Sequence, residues 1–442
     1  MIRIAPFRGL FYNPKKIRDL SKVVTPPYDV ISREDQEKLH RKSPYNFVRL
    51  DLSQEPDSYA AVAQLFETWQ SEGVFERDEV PTVYFLSHRF SLKGGATRER
   101  QGFFALTELQ DFSNGDIRPH EKTLSAPKED RLRLMLASNS QFSPIFALYT
   151  QPKQTINRML AEYAEGLAPF IELETDGGDE CRLWRVNEEG MIREVQREMK
   201  AQRLLIADGH HRYEATLQYR DQKRADRRQW NGREPFNYIM TYFANINDDN
   251  VAILPTHRLV RGYLPQPFLQ LEETLQKYFY VEQYPKTPVG QSWFLKALKS
   301  GKKQRLIGAS FKRDPRYLIL RLKNKRIMQR LAKDLSAPLR ELDVSTLHLL
   351  VLEHILGLTP EQQITDGTIR YSQDEEAVLQ ALEKEDYQAA FILNPPKAEE
   401  ILTIANGGET MPQKSTYFYP KLVSGLLINK IDPQEEIKDS PD

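Results

Sequence analysis

Cysteine is almost absent: one residue, Cys181, in a chain of 442. A single thiol excludes an internal disulfide and any zinc site built on paired cysteines. Its neighbours Glu180 and Arg182 offer no base to activate it, so Cys181 is expected to be structural. An excess of one charge is missing as well. Lys plus Arg and Asp plus Glu are both 62, a formal net charge of zero. That argues against a whole-surface nucleic-acid binder and leaves room for a local basic patch. No apolar run reaches membrane-spanning length, and residues 1–7 do not read as a signal peptide, so the expected setting is the cytoplasm. There is no Gly-x-Gly-x-x-Gly, which disfavours a Rossmann nucleotide fold, and no His-Glu-x-x-His, which disfavours a zincin.

What is present is the profile of a globular chain, 40% apolar and 28% charged, long enough for two or three domains without metal or disulfide staples. Periodicity predicts helices over 57–73, from Pro127 onward, over 155–168, over 210–226 and over 345–356 with Ser345 as cap. Strands are predicted over 82–92 and 98–109, joined through Gly94-Gly95, and over 143–150, 181–186, 204–207 and 389–393. Residues 238–247 and 251–254 read as a pair of strands. The prolines of 23–32 make that segment read as extended. The pattern is that of an α/β protein with a mixed α+β sheet. The expected divisions are 1–260, 261–431 and a loose tail over 432–442.

The densest chemistry lies at Leu204-Leu205-Ile206-Ala207-Asp208-Gly209-His210-His211-Arg212. A short apolar strand ends in Asp-Gly and a helix begins at once. Backbone N–H groups gather at such a helix start and attract anions. Asp208 is expected to cap the helix, Gly209 to allow the turn, and Arg212 to add a bidentate clamp. His210 and Glu214 share a face, but two ligands fall short of a zinc site. The plain alternative is a capped helix with two surface histidines.

Two further stretches add to it. His120, Glu121 and Lys122 precede a helix that carries Lys128 and Arg131 near its start. Cations there oppose the helix dipole, so something must compensate them, and a bound polyanion would do so. The run 408–415 nearly matches a Walker A loop, but Gln413 replaces the second glycine and Pro412 removes an N–H, so that motif is rejected. Lys414, Ser415 and Thr416 remain candidates for touching an anion. Pro26-Pro27-Tyr28-Asp29 and Pro255-Thr256-His257-Arg258 are weaker signals.

Taken in order, Pro26-Pro27-Tyr28-Asp29-Val30, Pro119-His120-Glu121-Lys122-Thr123, Ala207-Asp208-Gly209-His210-His211-Arg212-Tyr213 and Met411-Pro412-Gln413-Lys414-Ser415-Thr416 resemble the motifs of a widespread bacterial and archaeal family of unknown function. The similarity covers nearly the whole chain and is weakest over 265–340. The Asp208–Arg212 segment is also similar to the core motif of the ParB/sulfiredoxin-like superfamily, which includes free-serine kinases. This resemblance implies a ParB/sulfiredoxin-like core with a C-terminal α/β extension, and a phosphate-binding loop holding Asp208, His210, His211 and Arg212. The chemistry it implies is phosphoryl transfer to free L-serine. Sulfiredoxin chemistry needs a cysteine where the histidines stand, and ParB-type DNA binding needs a helix-turn-helix region that is not evident, so both are set aside.

The leading expectation is therefore a small-molecule kinase forming O-phosphoserine. Gly209, His210, His211 and Arg212 would hold phosphate, and Glu121 or Asp208 would be the base. Lys122, Lys128, Arg131 and Lys414, with Ser415 and Thr416, would bind the donor. Asp29, His120, His257 and Arg258 would meet the acceptor. Mg²⁺ is expected with ATP, ADP or pyrophosphate as donor, and the lack of an adenine signature keeps pyrophosphate open. No nucleic-acid or membrane partner is expected, and oligomerisation stays open. Two alternatives remain: a metal-dependent phosphohydrolase using His120, Asp208, His210 and His211, and a nucleotide-binding regulatory module without catalysis.

Overall fold

The computed structural model describes the chain apart from residues 55–57, 122–124, 228, 263–267, 302–304, 365–366 and 439–442. Lys122 thus lies outside the described residues. The chain forms two compact units. The first comprises 1–119, 123–252 and 420–442; the second comprises 120–122 and 253–419. The expected division at residue 260 takes no account of the return of 420–442 to the first unit. Residues 432–438, expected to be loose, are tied down: Glu435 pairs with Arg8 and Arg77, and Ile437 is buried.

The first unit is built on a mixed sheet of β1 (Ile4–Ala5), β2 (Val83–Ser91), β3 (Thr97–Glu108), β4 (Ile117–Pro119), β5 (Ile145–Tyr149), β6 (Ile171–Glu174), β7 (Glu180–Val186), β8 (Leu204–Asp208) and β9 (Tyr238–Asn245). The order is β4-β8-β5-β9-β3-β2-β7-β6, with β1 beside β3. The β2–β3 hairpin turns at Gly94-Gly95, where Gly94 has φ +68°. The β4–β8 and β5–β9 pairs are parallel and the rest antiparallel. Alternate strand residues such as Phe85, Phe103, Ala147, Ile206 and Phe243 build a core on one face. The strand 238–245 pairs with β3 and β5, not with 252–254 as expected from their closeness in sequence.

The helices that matter for the site are α1 (Ser125–Ser138) and α2 (His210–Ala225). Pro127 stands third in α1 rather than first. That is tolerated because the first-turn amides have no intrahelical acceptor to lose. Leu132 and Met135 pack against Ala215 and Tyr219 of α2 and Ile431 of the returning segment. The expected extended run at 23–32 is broken by one 3₁₀ turn at Tyr28–Val30. A proline biases the residue before it to extended angles, here Thr25 and Pro26, and fixes its own φ (Pro27, φ −58°), whereas Tyr28 has no proline after it and is free to turn.

The second unit carries an antiparallel sheet of β10 (His257–Val260), β11 (Phe279–Pro285), β12 (Leu306–Phe311), β13 (Arg316–Leu322), β14 (Ile369–Ser372) and β15 (Ala389–Leu393), in the order β11-β13-β12-β15-β10-β14. Phe294, Leu298, Ile319, Leu382 and Ile392 are among its core. Residues Thr346–Ile355 form a π-helix instead of the expected α-helix capped by Ser345. Ser345 is itself helical (φ −67°, ψ −40°), and a cap residue must leave the helical region.

Candidate functional site

In the first unit, β8 hands over to α2 through Gly209, which adopts φ +89° and ψ 27° and is itself the N-cap. This left-handed turn explains why glycine stands there. Asp208, expected to cap, does not. Its carboxylate is drawn to two cations. Arg212, one helical turn on, donates from Nη2 to Asp208 Oδ2 at 2.8 Å. Lys421 Nζ donates to the other carboxylate oxygen. Arg212 Nη1 is also held by the carbonyl of Pro144. The three charged side chains are only 12–16% exposed.

Burial by itself would raise the Asp208 pKa. The charges of Lys421 and Arg212, with a smaller part from His210, outweigh it and hold the carboxyl well below the usual carboxylate range. Asp208 is therefore ionised at neutral pH, and two cations on one carboxylate leave one positive charge in excess. The start of α2 adds its positive dipole end at the same place. His210 is buried at that start, and His211 is half-buried.

The cations of α1 are compensated from within. Lys128 Nζ pairs with Glu214 of α2 at 3.1 Å. Arg131 is buried and donates to Asp51 Oδ1 at 2.8 Å and to the Asp51 carbonyl at 3.0 Å. Its guanidinium lies 4.0 Å from the centre of the Tyr28 ring. Burial pushes the Tyr28 hydroxyl up to about 12, against the opposing pull of Arg131 and Arg212. Ser143 donates to the second Asp51 oxygen at 3.0 Å. A cavity of about 30 Å³, lined by Asp51, Arg131, Ser143, Arg212 and Thr216 among others, has room for one water. Asp29 is exposed.

In the second unit, Glu121 bridges Met411 in parallel, and the Met411 amide donates to the His120 carbonyl at 2.7 Å. The Glu121 carboxylate accepts the amides of Lys414 (3.2 Å), Ser415 (3.1 Å) and Thr416 (3.0 Å) and the Thr416 hydroxyl (2.9 Å). The loop is thus an anion-binding nest whose anion is a carboxylate of the same unit. Lys414 holds it open with φ +54°. His120, fully buried, meets the Thr416 hydroxyl through Nε2 at 2.6 Å and packs edge-on against Phe418. Arg258 is buried to 0% exposure and donates to the carbonyls of Thr256 and Lys414. Burial lowers its pKa to about 10, with Tyr371 and Glu121 acting in the opposite sense. His257, also buried, accepts the Leu393 amide at Nδ1.

Tyr28, Asp51 and Lys421 belong to this arrangement without having been selected from the sequence. Tyr28 stands beside Asp29 in the Pro26–Asp29 run, and Lys421 lies shortly beyond Thr416; Asp51 carries no local signal. Among the described residues, no three His, Cys, Asp or Glu side chains gather as metal ligands, and no helix is long and apolar enough to cross a membrane.

The model of the family described as a protein of unknown function (DUF1015) matches residues 4–345, and the chain belongs to that family. No curated protein matches it. Among solved structures it is similar to a free serine kinase in complex with AMP, at 13% identity and a TM-score of 0.33, over 73% of this chain and 88% of that one. A variant free serine kinase in complex with ADP is similar at 13% identity and a TM-score of 0.34, over the same shares. A conserved hypothetical protein from Pyrococcus furiosus is similar at 14% identity and a TM-score of 0.33, over 70% of this chain and 92% of that one.

Proposed function

We propose that the protein is a small-molecule phosphotransferase, passing a phosphoryl group from ATP, ADP or pyrophosphate to the hydroxyl of free L-serine. The observation that carries this reading is Asp208 clamped by Arg212 and Lys421 at the start of α2. A phosphate placed there meets an excess positive charge and the dipole end of a helix. Gly209, His210, His211 and Arg212 are assigned to phosphate, with Lys421 added to them.

Phosphoryl transfer passes through a loose transition state, so positioning and charge matter more than a strong base. Asp208, kept ionised, suits an orienting role towards the acceptor hydroxyl. His211 is assigned to the transferred group, and Lys128 and Arg131 act through Glu214 and Asp51 to fix the walls. In the second unit, Glu121 fixes the loop of Lys414, Ser415 and Thr416. His120, His257 and Arg258 are too buried to meet a substrate directly and are given positioning roles as well. Magnesium takes most of its ligands from water and phosphate oxygens; both Asp208 oxygens are taken by Arg212 and Lys421, so the ion would be held chiefly through the donor phosphates.

The test is mass spectrometry of L-serine incubated with the protein, Mg²⁺ and each donor in turn. O-phosphoserine should form with at least one donor, and Lys421→Gln should lower the yield at least tenfold.

A further inference from the structure

A cavity of about 300 Å³ opens within the second unit; Ser415 of the Glu121 nest and Thr256, whose carbonyl accepts from Arg258, stand in its wall. Its charged groups do not cancel. Arg305 is taken by Glu341 at 2.6 Å, and the other Glu341 oxygen takes Lys325 at 3.1 Å. Lys397 is exposed and meets Glu400 through its backbone amide, at 2.8 Å. Asp343 and Glu400 remain. Among the described residues, no donor reaches the Asp343 carboxylate. Burial, and after it the Glu400 charge, push the Asp343 carboxyl up to about 7, with Arg305 pulling the other way.

A second, independent observation lies in the same wall. Thr256 is 2% exposed and lines the cavity, and its hydroxyl has no partner. A buried hydroxyl left unmatched costs about 1–3 kcal/mol, which a ligand at this place would recover. Leu342, Val344, Leu393 and Pro395 give the wall an apolar part, beside the polar Asn394 and Ser415. A bare cation would satisfy the carboxylates and leave that apolar volume unfilled. The size fits the small end of ligand pockets.

We propose that this cavity is a second ligand site, for a small organic molecule bearing a primary ammonium group. The ammonium sits between Asp343 and Glu400, the carbon body lies on the apolar wall, and a further polar atom meets the Thr256 hydroxyl. The inference goes beyond the phosphotransfer reading and does not depend on it.

The experiment is titration calorimetry of the full chain with the L-amino acids, their decarboxylated amines, their deaminated acids, and MgCl₂ alone. At least one amino acid or amine should bind, and its deaminated counterpart should not. Asp343→Asn should weaken that binding at least tenfold and Thr256→Val several-fold. Glu400→Gln, which keeps the oxygen for the Lys397 amide, carries the same test should Asp343→Asn not fold. The proposal is overturned if no ammonium compound binds, if binding is unchanged in these variants, or if Mg²⁺ alone binds and is lost with Asp343.

Discussion

Asp208 and Arg212 stand one helical turn apart and are joined at 2.8 Å, across a glycine that no other residue replaces without strain. The bond turns Arg212 back over the strand-to-helix junction, so its guanidinium serves the turn as well as any ligand. A Cβ at Gly209 would lie 3.1 Å from that guanidinium. Turn geometry and charge placement are thus one feature.

Removing the carboxylate should be costly. Asp208→Asn leaves Arg212 and Lys421 facing each other while buried, and breaking a buried pair from one side costs about 3–5 kcal/mol. Urea denaturation at pH 7 measures it. The depressed pKa fixes the sign with pH: Asp208 stabilises the fold fully above pH of about 4, the ordinary carboxylate value. Its contribution is lost as the pH falls below that value towards its own lower pKa. The variant should therefore lose less stability than the parent on acidification below about pH 4.

Gly209→Ala should destabilise by about 1–2 kcal/mol, because a left-handed backbone is forced on a residue with a Cβ. The same change should push Arg212 out of its place. Inorganic phosphate binding, followed by calorimetry, should weaken at least as much as in Lys421→Gln.

How much of this was legible in the sequence depends on the range of each interaction. The strand 204–208, the turn at Gly209 and the helix after it follow from local periodicity and one glycine, and the β2–β3 hairpin from Gly94-Gly95. The partners of the charges do not. Lys421 lies 213 residues from Asp208, and no local pattern links them. The cations at the start of α1 predicted a compensating polyanion; Glu214 and Asp51 supply that compensation, brought in by the packing of α1 on α2 and by the buried Asp51–Arg131 pair. The anion-binding character of 414–416 was readable from residue type, whereas its occupant, Glu121, lies nearly 300 residues earlier, at a separation of 293–295.

Glu121 gives a direct check of the nest. Glu121→Gln keeps an acceptor oxygen but loses the charge, and charge-assisted bonds are roughly twice as strong as neutral ones. Amide hydrogen exchange at residues 414–416 should quicken in this variant and more so in Glu121→Ala. Exchange in α2 should stay as in the parent.

Asp343 carries the opposite pH sign from Asp208. Its pKa is raised, so folding takes up a proton between about pH 4 and about pH 7, and stability falls as the pH rises through that window. Glu400 and Arg305 are the charges that bear on it. Asp343→Asn, free of this penalty, should melt above the parent at pH 8, and the gap should close as the pH is lowered to 4. Differential scanning calorimetry across that range reads it.

The central claim is that the Asp208–Arg212–Lys421 cluster serves transfer of phosphate to a small acceptor. Mass spectrometry of L-serine incubated with Mg²⁺ and ATP, ADP or pyrophosphate tests it most directly. O-phosphoserine should appear with the parent protein and fall at least tenfold with Lys421→Gln. Its absence with all three donors, with phosphate binding unchanged in Lys421→Gln, would contradict the claim.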